Sequence, residues 1–166
     1  CKENIKSLTK AADQLLIRTP SGRYAILAGY HWFYEWGRDT LISLPGLTFC
    51  RRCFQEGQEI LKNFGEFEKF GLFPNFFAED EKENAFNTVD ASLWYFWSVQ
   101  QYLKYGGDDH WLRQHLWPVM KRILKQFMAG TIYDIHMDER GLLHAGSEGT
   151  RLTWMDAAVN GLPVTP

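Results

Sequence analysis

An all-α fold, a toroid of stacked helical hairpins, is what this sequence predicts, and three observations carry the prediction. Asp39, Asp90 and Asp156 each stand at the head of an apolar run, Asp39-Thr40-Leu41-Ile42, Asp90-Ala91-Ser92-Leu93 and Asp156-Ala157-Ala158. They are roughly 50 and 65 residues apart, about what one inner helix, one outer helix and their connections consume when helical hairpins lie side by side. Finally, the helical segments are of two kinds, some apolar on one face and one apolar nearly all round. The first kind suits the outside of a ring and the second the inside, so the inner N-termini would converge on one cavity. The periodicity is architectural, with no short repeat in the residues themselves.

The elements follow in order. Ile5, Leu8, Ala12, Leu15 and Leu16 share one helical face, with Lys2, Lys6, Lys10 and Asp13 elsewhere, which predicts a surface helix over 3–18. Thr19-Pro20-Ser21-Gly22 ends it, and 24–27 reads as a short extended segment leading into the aromatic loop at 30–36. Asp39 opens a helix expected to reach about Cys53, kinked at Pro45. An amphipathic outer helix is expected over 54–64, with Ile60, Leu61 and Phe64 inward. Gly71-Leu72-Phe73-Pro74-Asn75 breaks the chain into a long loop whose acidic run at 79–83 reads as a solvated tip. Segment 88–105 holds Leu93, Trp94, Tyr95, Phe96, Trp97 and Val99 with hardly a polar face, which predicts an inner helix buried nearly all round. Gly106-Gly107 stops it and Asp108 caps the next. There a stripe from Trp111 to Phe127 is interrupted by Pro118 and ended by Gly130. Asp138-Glu139-Arg140-Gly141 is turn chemistry between Ile135 and Leu142-Leu143, so a small hairpin precedes the loop that carries Asp156.

Composition narrows the function. Charged residues make up 23% and the net charge is −2, with no basic stripe to neutralise phosphates, so nucleic acid is not an expected partner. No apolar run has membrane-spanning length and no signal peptide is visible. With only three cysteines, these point to a cytoplasmic protein with no membrane partner. Cys50-Arg51-Arg52-Cys53 has a metal-like spacing but lacks a second pair, and reads as two reduced thiols. His110 and His115 read as surface or packing residues. No metal and no cofactor is expected.

The unusual quantity is aromatic content, 16% with seven Trp. Aromatic rings normally belong to a core, but Tyr30-His31-Trp32-Phe33-Tyr34-Glu35-Trp36 packs them into a loop beside Arg38 and Asp39. Sugar rings fit such a loop, because their C–H faces stack on π-surfaces while hydroxyls bond to charged groups. Asp156 stands between the indole of Trp154 and two alanines. A carboxyl group among bulky apolar side chains is partly desolvated, which disfavours its charged form and lets it donate a proton near neutral pH. The plainer alternative is a helix N-cap.

Five blocks in order then carry a family resemblance over roughly residues 20–166. They are Ala28-Gly29-Tyr30-His31-Trp32-Phe33 with Glu35-Trp36-Gly37-Arg38-Asp39-Thr40; Leu44-Pro45-Gly46-Leu47; Gly71-Leu72-Phe73-Pro74-Asn75; Asn87-Thr88-Val89-Asp90-Ala91-Ser92-Leu93-Trp94; and Leu152-Thr153-Trp154-Met155-Asp156-Ala157 with Val164-Thr165-Pro166. The chain resembles the amylo-α-1,6-glucosidase domain of glycogen debranching enzymes, in its bacterial and archaeal form. That resemblance implies an (α/α)6 toroid, here an incomplete ring of about three hairpins, with residues 1–166 a partial catalytic domain truncated at both ends. It implies a glycogen or branched α-glucan substrate and inverting hydrolysis of the α-1,6-linked glucose at branch points. Inversion needs an acid on the glycosidic oxygen and a base about 6.5–9.5 Å away that activates water. By the match Asp156 is the acid, and the base, a glutamate, belongs to the missing C-terminal half. Arg38 and Asp39 would grip the terminal glucose hydroxyls, Trp36 and Trp154 would stack on the sugar, and Asp90 would make a supporting contact. Glu35, Glu148 and Asp138 lie near these blocks without an assigned role.

Two other readings stay open. One is another inverting α-glucosidase on the same barrel, of glucoamylase-like type. The other is a non-catalytic carbohydrate-binding module that keeps the sugar-gripping loops without the base.

Overall fold

The computed structural model describes residues 2–30, 33–78 and 84–164. His31 and Trp32 of the aromatic loop, the acidic run at 79–83, and residues 165–166 lie outside the described residues. Among the described residues six α-helices carry the fold: α1 (Lys2–Leu15), α2 (Gly37–Leu47), α3 (Phe54–Phe67), α4 (Asp90–Lys104), α5 (Asp109–His115) and α6 (Trp117–Ala129). Three small antiparallel hairpins lie between and after them. β1 (Leu16–Arg18) pairs with β2 (Tyr24–Ile26), β3 (His136–Met137) with β4 (Leu143–His144), and β5 (Ala158–Val159) with β6 (Leu162–Pro163). The chain is thus all-helical in its main elements, consistent with the helical hairpins its sequence predicts.

The core forms where α3, α4 and the segment after Gly71 meet. Phe49, Phe64, Phe73, Tyr95 and Tyr102 are fully buried there, with Phe64–Phe73 centroids 5.4 Å apart and Phe73–Tyr95 4.9 Å. Such tilted and edge-on pairs contribute beyond their buried area. α3 buries Gly57, Ile60, Leu61 and Phe64, the face its spacing predicts, and runs one turn longer than expected. α1 is a surface helix with only Ala12 buried.

α2 shows how a local defect becomes a tertiary contact. Pro45 has no N–H, so the carbonyl of Leu41 one turn earlier loses its helical donor. The Ser98 hydroxyl of α4 donates to that oxygen at 2.5 Å, with both residues fully buried. The helix ends at Leu47, short of the expected Cys53, and the Thr48 hydroxyl donates back to the Leu44 oxygen at 2.7 Å. A short 3₁₀ turn, Phe49–Arg51, follows, with Arg52 in the left-handed region.

α4 departs from the expected all-round burial. Ala91, Ser92, Tyr95, Ser98, Val99 and Tyr102 are buried, but Leu93 and Leu103 are exposed and Trp94 and Trp97 only partly covered. The buried face is chosen by small hydroxyls that satisfy carbonyls, such as Ser92 donating to the Gly71 oxygen at 2.8 Å. Apolar composition alone does not distinguish that face from the one other elements leave uncovered. Asp108 caps α5 by accepting from the His110 and Trp111 amides. Pro118 starts α6 and Gly130, at φ 87°, ends it. His115 packs on the Trp111 ring, centroids 4.8 Å apart, and Cys50 and Cys53 are free thiols.

Candidate active site

The loop before α2 is built by pairing. Gly37 donates to the Asn75 oxygen at 3.0 Å, Phe77 to the Glu35 oxygen at 3.1 Å, and Asn75 to the Ala85 oxygen at 2.7 Å. Bridges Trp36↔Phe76 and Phe76↔Ala85 complete a narrow ladder. Gly37 is required where it stands, because a Cβ there would sit 2.1 Å from the Pro74 oxygen. The ladder lays the Trp36 indole against Phe76, centroids 5.3 Å apart. From the other side, Val89 donates to the Leu152 oxygen at 2.8 Å, which ties the segment leading to Asp156 to the start of α4.

These ties enclose a cleft of about 370 Å³ lined by Trp36, Asn75, Phe76, Ala85, Asn87, Arg151 and Asp156. Two predicted site residues, Trp36 and Asp156, therefore share one wall-to-wall space. The cleft also contains polar groups that reading the sequence did not single out. The side-chain oxygens of Asn75 and Asn87 are buried and have no hydrogen-bond partner among the described residues. A buried acceptor without a donor is costly, so both stand ready for donors such as hydroxyls. Arg151 donates to the Asp156 backbone oxygen at 3.3 Å. The only sequence signal for the two amides was their place inside motif blocks. A second hollow of about 630 Å³, with Glu148 and Arg151 in its lining, lies between the 145–155 segment and the final hairpin.

Beside the cleft, Arg38 pairs with Asp90 rather than with its neighbour Asp39. Its Nε donates to Asp90 Oδ2 at 2.7 Å, and Thr88 donates to Asp90 Oδ1 at 2.6 Å. This couples the first turns of α2 and α4 through a largely covered ion pair. Asp39 is exposed and outside the lining of the cleft. Trp154, 69% exposed, also lies outside that lining.

Asp156 corrects one expectation. It does not open a helix: the segment after it is the β5–β6 hairpin, and Asp156 is exposed. Asn160 at φ 52° and Gly161 at φ 81° make the tight turn, and Asn-Gly between apolar residues is a strong hairpin signal that outweighs Ala-Ala. With Trp154 turned to solvent, the desolvation expected around the carboxylate is not supplied by the described residues.

Glu35 is the buried acid of this region. Arg23 holds it with two hydrogen bonds, 2.9 and 2.6 Å. Burial pushes its carboxyl up from the ordinary glutamate range, and the Arg23 guanidinium pulls it part of the way back. The pair lies in a hollow with Arg18, Tyr34, Phe67 and Phe77, apart from the Asp156 cleft. Asp138 is held below the ordinary aspartate range by the Leu142 amide and the Arg140 guanidinium. Among the described residues, those grouped so that they could hold a metal ion are Asp134, His136 and His144, whose ligand atoms lie within 4.8 Å of one another.

A helical chain whose loops bring an acid, an indole and unsatisfied amides to one cleft is of the kind found among glycoside hydrolases. The chain belongs to the amylo-alpha-1,6-glucosidase family, whose model matches residues 10–166. It is 25% identical over 185 aligned positions to the glycogen debranching enzyme of Saccharomyces cerevisiae (strain ATCC 204508 / S288c). That alignment takes in 79% of this chain and 12% of the yeast protein, so the chain spans a small part of the relative's length. No helix of the described residues is long and apolar enough to cross a membrane.

Proposed function

We propose that this chain is part of an inverting α-1,6-glucosidase that releases the glucose left at a glycogen branch point. Asp156 acts as general acid and protonates the glycosidic oxygen as the bond breaks. Trp36 provides a stacking surface within the cleft, and the exposed Trp154 indole a second beside it. Asn75 and Asn87 accept from sugar hydroxyls. Arg38 and Asp39 contact the terminal glucose, with Asp90 holding the Arg38 guanidinium in one orientation. The base that activates water is a second carboxylate, supplied from outside the described lining of the cleft. In support, Asp156 is the sole carboxylate lining the cleft among the described residues, and inversion needs a second one about 6.5–9.5 Å away.

The observation that carries the reading is the shared cleft of Asp156, Trp36, Asn75 and Asn87 in a chain of this family. Its test is Asp156→Asn in the full-length protein, assayed for glucose release from a branched limit dextrin. Loss of an acid catalyst is expected to lower kcat by about 10²–10⁴-fold with sugar binding largely kept. Activity within about threefold of the parent would mean the acid is another residue, since general acid catalysis contributes far more than that. Release of glucose from linear α-1,4 ends but not from the limit dextrin would favour the glucoamylase-like alternative. The 166-residue chain by itself is expected to be silent on the same substrate.

A further inference from the structure

We propose that Asp134, His136 and His144 form a binding site for a divalent transition-metal ion, with Zn²⁺ the natural occupant. His136 and His144 are directly opposed in the β3–β4 register, so the pleat puts both imidazoles on one face. Their rings lie 4.8 Å apart at an interplanar angle of 35°. Asp134 enters from the preceding corner, where Tyr133 at φ 59° and Asp134 at φ 52° both adopt the left-handed region. Two consecutive non-glycine residues in that region are unfavourable, and such strain concentrates at ligand sites. The corner turns the Asp134 carboxylate between the two rings, with Oδ1 3.3 Å from His136 Nδ1 and Oδ2 3.2 Å from His144 Nε2.

Those distances suit an ion. Ligand atoms bound tetrahedrally at about 2.0–2.1 Å stand roughly 3.3 Å from each other; each imidazole nitrogen already stands at that distance from one oxygen of Asp134, a different oxygen for each ring, and a small turn of the carboxylate brings a single oxygen between them. All three ligand atoms lie within 4.8 Å, and side-chain rotation of half-exposed imidazoles closes the remaining edge. Two imidazoles and one carboxylate favour Zn²⁺ or Co²⁺ over Mg²⁺ and Ca²⁺, which prefer all-oxygen shells. The fourth position is left for water. A bound ion would lock the corner to the hairpin. Because the Gly146 amide donates to the Tyr133 oxygen at 3.0 Å, it would also fix the start of the segment leading to Arg151 and Asp156.

The same contacts could arise from two imidazole–carboxylate hydrogen bonds with no ion, and the experiment separates the two. The full-length protein with Cys1, Cys50 and Cys53 replaced by Ser, which removes the competing thiolates of residues 1–166, is titrated with ZnCl₂ by calorimetry and with CoCl₂ by absorption. Expected are loss of Zn²⁺ affinity of more than about 100-fold in His136→Ala and His144→Ala, a loss about tenfold or greater in Asp134→Asn, and visible bands of four-coordinate Co²⁺ in the parent. Imidazole proton resonances of His136 and His144, but not of His110 and His115, should move on adding Zn²⁺, a readout on the parent that needs no variant to fold. Absence of those resonance shifts, or Zn²⁺ affinity unchanged by both histidine substitutions, would overturn the site.

Discussion

Gly37→Ala and Gly46→Ala make the same chemical change in the same helix, and the structure assigns them opposite signs. At Gly37 a new Cβ would lie 2.1 Å from the Pro74 oxygen, which is backbone and cannot swing away. An ordinary C···O contact needs about 3.3 Å, so α2 and the Pro74–Asn75 segment must separate by roughly 1 Å. Overpacking of this kind costs about 1–3 kcal/mol. The separation also weakens the 3.0 Å bond from Gly37 to the Asn75 oxygen, about 1 kcal/mol more, against a helix-propensity gain of about 0.5–1 kcal/mol. The net is a loss of roughly 1–3.5 kcal/mol, or a fall in Tm of about 2–14 °C for a domain of this size. At Gly46 nothing lies within 4 Å of the added methyl, so only the propensity gain of about 0.5–1 kcal/mol remains. Its Tm should rise by about 1–4 °C. Thermal and urea unfolding of the two variants beside the parent measure both. A Gly37→Ala protein as stable as the parent, or two shifts of the same sign, would refute the close approach that builds the wall of the cleft.

Ser98→Ala removes the donor to the Leu41 oxygen that Pro45 leaves unpaired, and should cost about 1–3 kcal/mol for a buried acceptor; urea midpoints read it, and Ser98→Thr, which keeps the hydroxyl, should recover part of the loss. The Glu35 carboxyl should titrate above the free-glutamate value of about 4.3, because burial outweighs Arg23. In Arg23→Met, carbon-detected NMR should find the midpoint higher still, and an unchanged midpoint would show that Arg23 does not act on it. A carboxyl with a raised folded pKa favours folding most below its unfolded pKa and loses that contribution as pH climbs through the folded value. Asp138 has the opposite sign, being held low by Leu142 and Arg140. Its contribution is complete above about pH 3.9 and is lost as pH falls through its folded value, so protection of the Leu142 amide from hydrogen exchange should fade on acidification in the parent and be flatter with pH in Asp138→Asn.

The sequence by itself determined the elements whose signals are local. Spacing of Ile60, Leu61 and Phe64 marks the buried face of α3, Asp108 and Gly130 mark helix ends, and Asp138 to Gly141 mark a turn. Each depends on neighbours within one or two turns, so periodicity and capping suffice to read it. The motif blocks also named the loops that meet around the cleft. What only the tertiary structure decided are choices made by distant partners. Arg38 takes Asp90, 2.7 Å away across two helix starts, in preference to the adjoining Asp39, because helix geometry points neighbouring side chains apart. α4, apolar in composition, buries the face whose hydroxyls reach the Leu41 and Gly71 oxygens. Asn75 and Asn87 gain their meaning from being buried without donors in one cleft, and His136 and His144 from a strand register that opposes them. Asp156 joins Trp36 through the backbone tie between Val89 and Leu152. Such pairings are invisible in a linear reading because the free energy that selects them resides in contacts between segments tens of residues apart, formed only once the core has closed.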